Sequence, residues 1–360
     1  MSVNLQRAGI RMGPIFRLIA ACGPGLLVML ADTDAGNVVT AAQAGAQWGY
    51  RLLPLVLVLS PFLYMLQELT VRLGIYTGRG HGELIRERFG VGWAWLSTAG
   101  LAAATVSTLV TNFTGVAGIG ELYGLSRTLT LPSAATVLLT VVATGSYRRA
   151  ERMMIVIGLF ELAFFWVAIA ARPHLETMMK EVVHFPVSKR EFVYLAAAII
   201  GTTFNPWMVF YQQSAIVDKK LQPTDYGLAR CDTATGAALT QLLTGAVLVS
   251  VAATAASSGG PAKLDSVAEI SNALAPILGA KAGRLIFSLG VLGASLVAAI
   301  VSSLALAWGL GEVTGYRHSL EYHPFEAGWF YGVYTLALSL LVPLSGWCPI
   351  WFGSISPLRC

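Results

Sequence analysis

The chain has 360 residues, of which 55% are hydrophobic and only 12% are charged, and its formal net charge is +5. Soluble domains carry about 25% charged residues, so this composition excludes a soluble globular protein and is typical of an integral membrane protein. Cys22, Cys231, Cys348 and Cys360 show no metal-ligand spacing, so we expect them to be packing residues.

Apolar stretches of spanning length predict about nine membrane helices and an all-α polytopic fold. They cover residues 18–45, 51–73, 93–120, 132–145, 153–171, 193–217, 233–256, 284–310 and 328–346. We therefore expect a single transmembrane domain over residues 1–346 and an atypical C-terminal tail over residues 347–360.

Basic residues are concentrated before the first span and in alternate short loops, including Arg7, Arg11 and Arg17. The positive-inside rule then predicts a cytoplasmic N-terminus in a multi-pass protein of the cell inner (plasma) membrane. This topology accounts for the positive net charge. We therefore expect the lipid bilayer and not a nucleic acid as partner, and protein partners are left open.

The first span carries two carboxylates, Asp32 and Asp34, followed by Gly36 and Asn37. A charged group at the centre of a spanning helix costs about 2.5–3.5 kcal/mol, so such groups usually face a cavity, a partner or a substrate. Gly36 favours a break in the helix here, and a break exposes backbone carbonyls that bind cations. Asp34 and Asn37 also lie three residues apart and share a helix face.

The sixth span is interrupted at Asn205-Pro206, because proline removes a backbone donor and forces a kink or break. Interruptions in spans one and six are typical of inverted-repeat transporters, which bind substrate at the bilayer midplane between two discontinuous helices. The pair therefore predicts a transport site between these two spans.

Several motifs resemble those of the Nramp divalent-metal transporters, whose first helix carries Asp-Pro-Gly-Asn. The matching runs are Gly23–Leu27, Asp34–Asn37, Gln43–Tyr50, Arg72–Arg79, Ile199–Thr203 and Leu274–Gly279. The resemblance implies a LeuT-like inverted-repeat bundle with discontinuous helices 1 and 6. The family's tenth helix has no counterpart after residue 346, so we expect a C-terminally truncated chain lacking the final helices.

The resemblance also implies a ligand set for the metal. Carried over by position, the side chains of Asp34 and Asn37 and the carbonyl of Ala31 would bind it from the first helix. The carbonyl of Thr202 and the side chain of Asn205 would bind it from the sixth. The metal would be the transported substrate, and no cofactor is expected.

The departures from the family pattern affect which metal ion is favoured and whether transport is coupled to protons. The sixth helix has Asn205-Pro-Trp207 where the family has Met-Pro-His, and Gln212 replaces a second histidine. Losing the thioether favours hard ions such as Mg²⁺ or Mn²⁺. Asn112 and Gly115 replace the acidic pair that serves proton movement in the third helix, so we expect transport without the usual proton coupling. A divergent, magnesium-transporter-like member is the predicted type.

Asp32 is an addition to the family motif, and two interpretations of it stay open. It is either an auxiliary charge that draws cations to the site, or a carboxylate satisfied by a helix N-terminus or by Thr33. For Glu161 in span five a buried structural hydrogen bond is favoured over a proton role, and for Glu68 an i,i+4 pair with Arg72 is favoured over a gate.

The leading hypothesis is thus an alternating-access carrier of a divalent cation, Mg²⁺ or Mn²⁺. The alternatives are a proton-coupled Mn²⁺/Fe²⁺ symporter of the ordinary Nramp type and a non-transporting or defective membrane fragment or sensor. An organic-anion carrier is disfavoured because two aspartates would repel the substrate. An enzyme is disfavoured because no nucleophile–base constellation is present.

Overall fold

The computed structural model of the protein describes residues 23–258, 264, 266–278 and 282–347. The first residues of the predicted first span, the arginines before it and residues 348–360 of the expected tail lie outside this part of the chain. The described residues form α-helices and short 3-10 segments, with no β-strand among them.

The helices follow the apolar stretches of the sequence. In chain order they are α1 (Pro24–Asp32), α2 (Ala35–Trp48), α3 (Leu53–Thr77), α4 (His81–Phe89), α5 (Val91–Leu122), α6 (Arg127–Val142), α7 (Tyr147–Gly158), α8 (Ala163–Ala170), α9 (Leu175–Glu181), α10 (Arg190–Thr203), α11 (Pro206–Lys219), α12 (Tyr226–Ser258), α13 (Val267–Leu278), α14 (Arg284–Thr314) and α15 (Gly328–Trp347). The 3-10 segments are Leu159–Leu162, between α7 and α8, and Pro223–Asp225.

Six helical segments of the described residues are long and apolar enough to cross a membrane: α3, α5, α7–α8, α10–α11, α12 and α14. In α12 and α14, 72% of the apolar 18-residue stretch is buried inside the protein, against 28–39% of the corresponding stretch in the other four segments. These two helices therefore form the centre of the bundle, and the other spans present more of their surface to lipid.

Helix α12 runs beside the broken helix α1–α2 and contacts it once per turn. The contacts are Thr240 with Thr33 at 2.8 Å, Thr244 with Asn37 at 2.9 Å, and Leu248 with Gly45. At the last of these, a Cβ on Gly45 would lie 2.4 Å from the Leu248 carbonyl oxygen. The close approach needs glycine, and it holds α2 against the central helix.

Candidate functional site

The first break lies between α1 and α2, where Asp34 is the N-cap of α2. Its backbone is extended (φ −67°, ψ 175°), and its Oδ1 accepts the backbone N–H of Asn37 at 2.8 Å. Aspartate is among the preferred N-cap residues because its carboxylate accepts a hydrogen bond from a free N–H of the first turn. The predicted break is thus present, and capping explains why it falls at Asp34.

The second break lies between α10 and α11. Asn205 is extended (φ −92°, ψ 133°) and Pro206 is the first residue of α11, as expected because proline pushes the preceding residue out of the helical region. The Asn205 amide donates to the Thr202 carbonyl at 2.9 Å. The two ligands predicted on the sixth helix are therefore neighbours in space.

Asn112 of α5 holds the first break in place. Its Oδ1 accepts the N–H of Ala35 at 3.1 Å, and its Nδ2 donates to Asp34 Oδ2 at 3.2 Å and to the Thr108 carbonyl at 2.8 Å. In a continuous helix the N–H of Ala35 would bond the carbonyl of Ala31. Because Asn112 accepts that N–H instead, the Ala31 carbonyl at the end of α1 lacks its usual helical hydrogen-bond partner.

This contact is not predicted by the sequence, in which Asn112 stands out only by replacing a carboxylate. The available signal was an amide in the middle of an apolar span, since a buried amide needs polar partners. The residue that replaces the family's acid thus contacts the predicted metal ligand directly.

The predicted site residues lie at the two breaks, and most are buried. Asp34 is 7% exposed, Asn37 1%, and Ala31 and Asp32 are fully buried, while Thr202 and Asn205 are half-buried. The Asn37 amide oxygen accepts the Thr244 hydroxyl at 2.9 Å. The Asp32 carboxylate lies beside the Asn205 amide, so the two breaks face each other.

The donor set at the breaks is oxygen-rich and holds few charged groups. Among residues 23–258, 264, 266–278 and 282–347, no group of three or more His, Cys, Asp or Glu side chains is placed to hold a metal ion. A cation here would therefore be held by one or two carboxylates together with amide and carbonyl oxygens.

The two interpretations of Asp32 stay open, but the Thr33 hydroxyl is not its partner. Neither Asp32 oxygen has a hydrogen-bond partner in the described structure, and the Thr33 hydroxyl bonds to Thr240 instead. Glu161 is fully buried beside the Thr33 hydroxyl, and its role as a structural hydrogen-bonding group stays a prediction. The Glu68–Arg72 pair is confirmed, with Nη2 to Oε2 at 2.9 Å.

Trp207 and Gln212, at the positions of the family's histidines, make structural contacts between spans. The Trp207 indole N–H donates to the Thr108 hydroxyl of α5 at 3.1 Å. Gln212 accepts the Thr70 hydroxyl at 3.0 Å and donates to the Thr233 hydroxyl at 2.8 Å. These bonds join α11 to α5, α3 and α12.

Charged side chains join neighbouring helices at the end of the bundle where α1 begins. Lys219 Nζ lies 2.8 Å from Glu151 Oε1, and both side chains are nearly buried, at 4% and 8% exposure. Asp232 of α12 accepts the N–H groups of Gly23 at 3.1 Å and Gly25 at 2.8 Å. An anion at a helix N-terminus is favourable, so Asp232 anchors the start of α1 to the central helix.

Two solved structures share this architecture. The Eremococcus coleocola manganese transporter in complex with an aromatic bis-isothiourea substituted compound aligns at a TM-score of 0.73 and 17% identity, covering 93% of this chain and 80% of that chain. A Na⁺-coupled sialic acid symporter aligns at 0.64 and 12% identity, covering 94% of this chain and 73% of that one. At these identities the likeness concerns the fold, and it confirms the predicted LeuT-like helical bundle.

The sequence comparisons identify the family. The divalent metal cation transporter MntH of Ralstonia nicotianae is 31% identical over 80% of this chain and 68% of its own length. MntH of Chromohalobacter salexigens is 31% identical over 79% of this chain and 68% of its own length. The family model for natural resistance-associated macrophage protein-like (Nramp) proteins matches residues 25–350. The chain therefore belongs to the Nramp family.

Proposed function

We propose that the protein carries a divalent metal cation across the plasma membrane by alternating access, with Asp34 as its principal ligand. The observation that supports this most directly is the position of Asp34. Its carboxylate lies at the break of the first helix and is oriented by α2 and by Asn112. Relatives named as divalent metal cation transporters cover most of the chain, which favours transport over catalysis.

The proposed ligands are all oxygen atoms. Asp34, Asn37 and Asn205 offer side-chain oxygens, and the carbonyls of Ala31 and Thr202 lie at the ends of the interrupted helices α1 and α10. Carboxylate and carbonyl oxygens suit Mg²⁺, Ca²⁺ and Mn²⁺, whereas a thioether would favour softer metals. We therefore propose Mg²⁺ or Mn²⁺ as the transported ion. Mg²⁺ would keep several of its waters, because it dehydrates reluctantly.

We further propose that transport does not use the family's usual proton route. A proton relay requires groups that titrate, and Asn112 and Gly115 do not. Asn112 is instead engaged by Asp34, Ala35 and Thr108. The alternative is a proton-coupled Mn²⁺/Fe²⁺ symporter of the ordinary Nramp type.

The test is uptake into proteoliposomes that contain a metal indicator and a pH indicator. We expect Mn²⁺ uptake that excess Mg²⁺ competes away and that does not acidify the lumen. Asp34→Ala should abolish uptake. Asp225→Ala, which removes a carboxylate from the 3-10 segment Pro223–Asp225, is the matched control and should transport normally. Uptake by Asp34→Ala at the wild-type rate would contradict the site, and metal-driven acidification would favour the proton symporter.

A further inference from the structure

The short helix α4 joins spans α3 and α5 at the end of the bundle where α14 ends. Its first turn is held by Glu312 of α14, whose carboxylate accepts the N–H of Gly82 at 2.7 Å. Its last turn is held by Arg86, whose guanidinium donates to the Val313 carbonyl at 3.0 Å. Gly90 follows with φ +93°, a conformation that glycine adopts readily, so the chain turns at once from α4 into α5. Helix α4 is therefore fixed beside the first turns of α5.

An apolar groove of about 500 Å³ lies between α4 and the first turns of α5. It is lined by Ile85, Phe89, Trp93, Leu96 and Ser97. The two lining residues of α4 are four apart, and the three of α5 lie within four residues of one another, so each helix contributes one face. Phe89, Trp93 and Leu96 are 62–67% exposed, so the described residues leave the groove open. Exposed apolar surface of this kind marks a contact with a partner or a ligand.

The rim of the groove on α4 is positively charged. Arg88 is exposed and lies three residues after Ile85, on the same face of the helix. The two glutamates of α4 are already engaged, since Glu87 pairs with Arg79 and Glu83 accepts the N–H that precedes the helix at 3.2 Å. Arg88 has no carboxylate partner among the described residues. An anionic group is therefore the complement of this rim.

The position of the groove favours a lipid as its occupant. Trp93 and Trp95 lie in the first turns of the spanning helix α5, and tryptophans at the ends of spans mark the membrane interface. A helix with an apolar and a basic face at this depth lies in the interface, with its apolar side toward the acyl chains. The positive-inside rule places this end of the bundle in the cytoplasmic leaflet, whose anionic lipids attract basic side chains.

We propose that the groove between α4 and α5 binds one anionic phospholipid. One acyl chain packs against Phe89, Trp93 and Leu96, and the phosphate pairs with Arg88. A guanidinium suits this role because it donates two parallel hydrogen bonds to a phosphate. A zwitterionic lipid offers the same chains, but its ammonium group offsets the attraction of the phosphate for the arginine. The site therefore selects its lipid by the charge of the headgroup.

The test is native mass spectrometry of the purified full-length chain in detergent, titrated with phosphatidylglycerol or with phosphatidylcholine. We expect the first phosphatidylglycerol to bind at a lower concentration than phosphatidylcholine does. Arg88→Gln should weaken phosphatidylglycerol binding about fivefold and leave phosphatidylcholine binding unchanged. Arg149→Gln is the control, because it removes an exposed arginine of α7 that does not line the groove, and it should bind both lipids as the wild type does.

A second measurement locates the acyl chain. Phosphatidylcholine vesicles that contain a minor fraction of phosphatidylglycerol with brominated chains should quench tryptophan fluorescence more than vesicles with the same fraction of brominated phosphatidylcholine. The excess quenching should disappear in Trp93→Phe and remain in Trp95→Phe, because Trp95 is exposed but does not line the groove.

Three results would overturn the lipid site. The first is equal affinity of the wild type for the two lipids, or an unchanged affinity of Arg88→Gln for phosphatidylglycerol. The second is excess quenching that persists in Trp93→Phe. The third is a dimer that binds no phosphatidylglycerol while the monomer does, because a second copy of the chain would then occupy the groove.

Discussion

Replacing Asn112 by leucine tests how the first break is held. Leucine has a similar volume and keeps the apolar contacts of α5, but it offers no hydrogen bond. The change removes the 3.2 Å bond to Asp34 Oδ2 and leaves the N–H of Ala35 without its 3.1 Å acceptor. Both groups lie at the joint between α1 and α2, so we expect loss of both stability and metal binding.

The magnitude follows from the two bonds. A hydrogen bond to a charged group contributes about 1.5–3 kcal/mol, and a buried donor left unsatisfied costs about 1–3 kcal/mol. The Ala35 N–H can regain part of its energy by bonding the Ala31 carbonyl, which would extend α1 and displace Asp34. We therefore expect Asn112→Leu to lower the free energy of unfolding by about 2–4 kcal/mol.

The assay is thermal unfolding of the purified protein followed by tryptophan fluorescence, with Mn²⁺ affinity measured alongside. Thr114→Val is the control, because Thr114 lies on the same helix, is exposed, and bonds to the Val110 carbonyl of its own helix. We expect it to change stability by less than about 0.5 kcal/mol. If Asn112→Leu had the same melting temperature as Thr114→Val and bound Mn²⁺ normally, Asn112 would not hold the break.

Three further changes probe the surrounding structure. Gly45→Ala places a methyl group 2.4 Å from the Leu248 carbonyl oxygen, so it should lower the free energy of unfolding by about 1–3 kcal/mol. In the control Gly100→Ala the new methyl group meets nothing within 4 Å, and the loss should be smaller. Lys219→Met leaves Glu151 as an unpaired buried charge and should cost about 3–5 kcal/mol, much of it recovered in a double variant with Glu151→Gln. Burial lowers the pKa of His81 below its ordinary value, so the unfolded chain takes up a proton first as pH falls. The contribution of neutral His81 to the free energy of unfolding is therefore present above about pH 6.5 and is lost as pH falls through the lower pKa of the folded protein. The melting temperature of His81→Gln should fall less on acidification than that of the wild type.

Much of the architecture could be predicted from the sequence, because spanning helices are set by local hydrophobicity. The two breaks were predictable for the same reason, since proline at 206 and the Asp34–Gly36 pattern act on the adjacent backbone. The capping of α2 by Asp34 is also local and needed only the N-cap preference of aspartate.

Contacts between distant residues could not be predicted in this way. Asn112 and Asp34 are 78 residues apart, and the third span gives no sign of which helix its amide meets. The sequence leaves Asp32 between an auxiliary charge and a locally satisfied carboxylate, and it offers Glu161 no obvious partner nearby in the chain. The fold brings them to one region, where the nearby Thr33 hydroxyl is already bonded to Thr240. Whether a buried carboxylate finds a hydrogen-bond donor therefore depends on which other groups bond to the same hydroxyl.

The most direct test of the metal site is the position of Mn²⁺ in crystals of the full-length protein soaked with that ion. Anomalous diffraction locates Mn²⁺ independently of transport activity. We expect a peak between the two breaks, about 2.0–2.6 Å from an Asp34 carboxylate oxygen, that disappears in Asp34→Asn. A peak that persists in Asp34→Asn, or one that lies away from both breaks, would contradict the account.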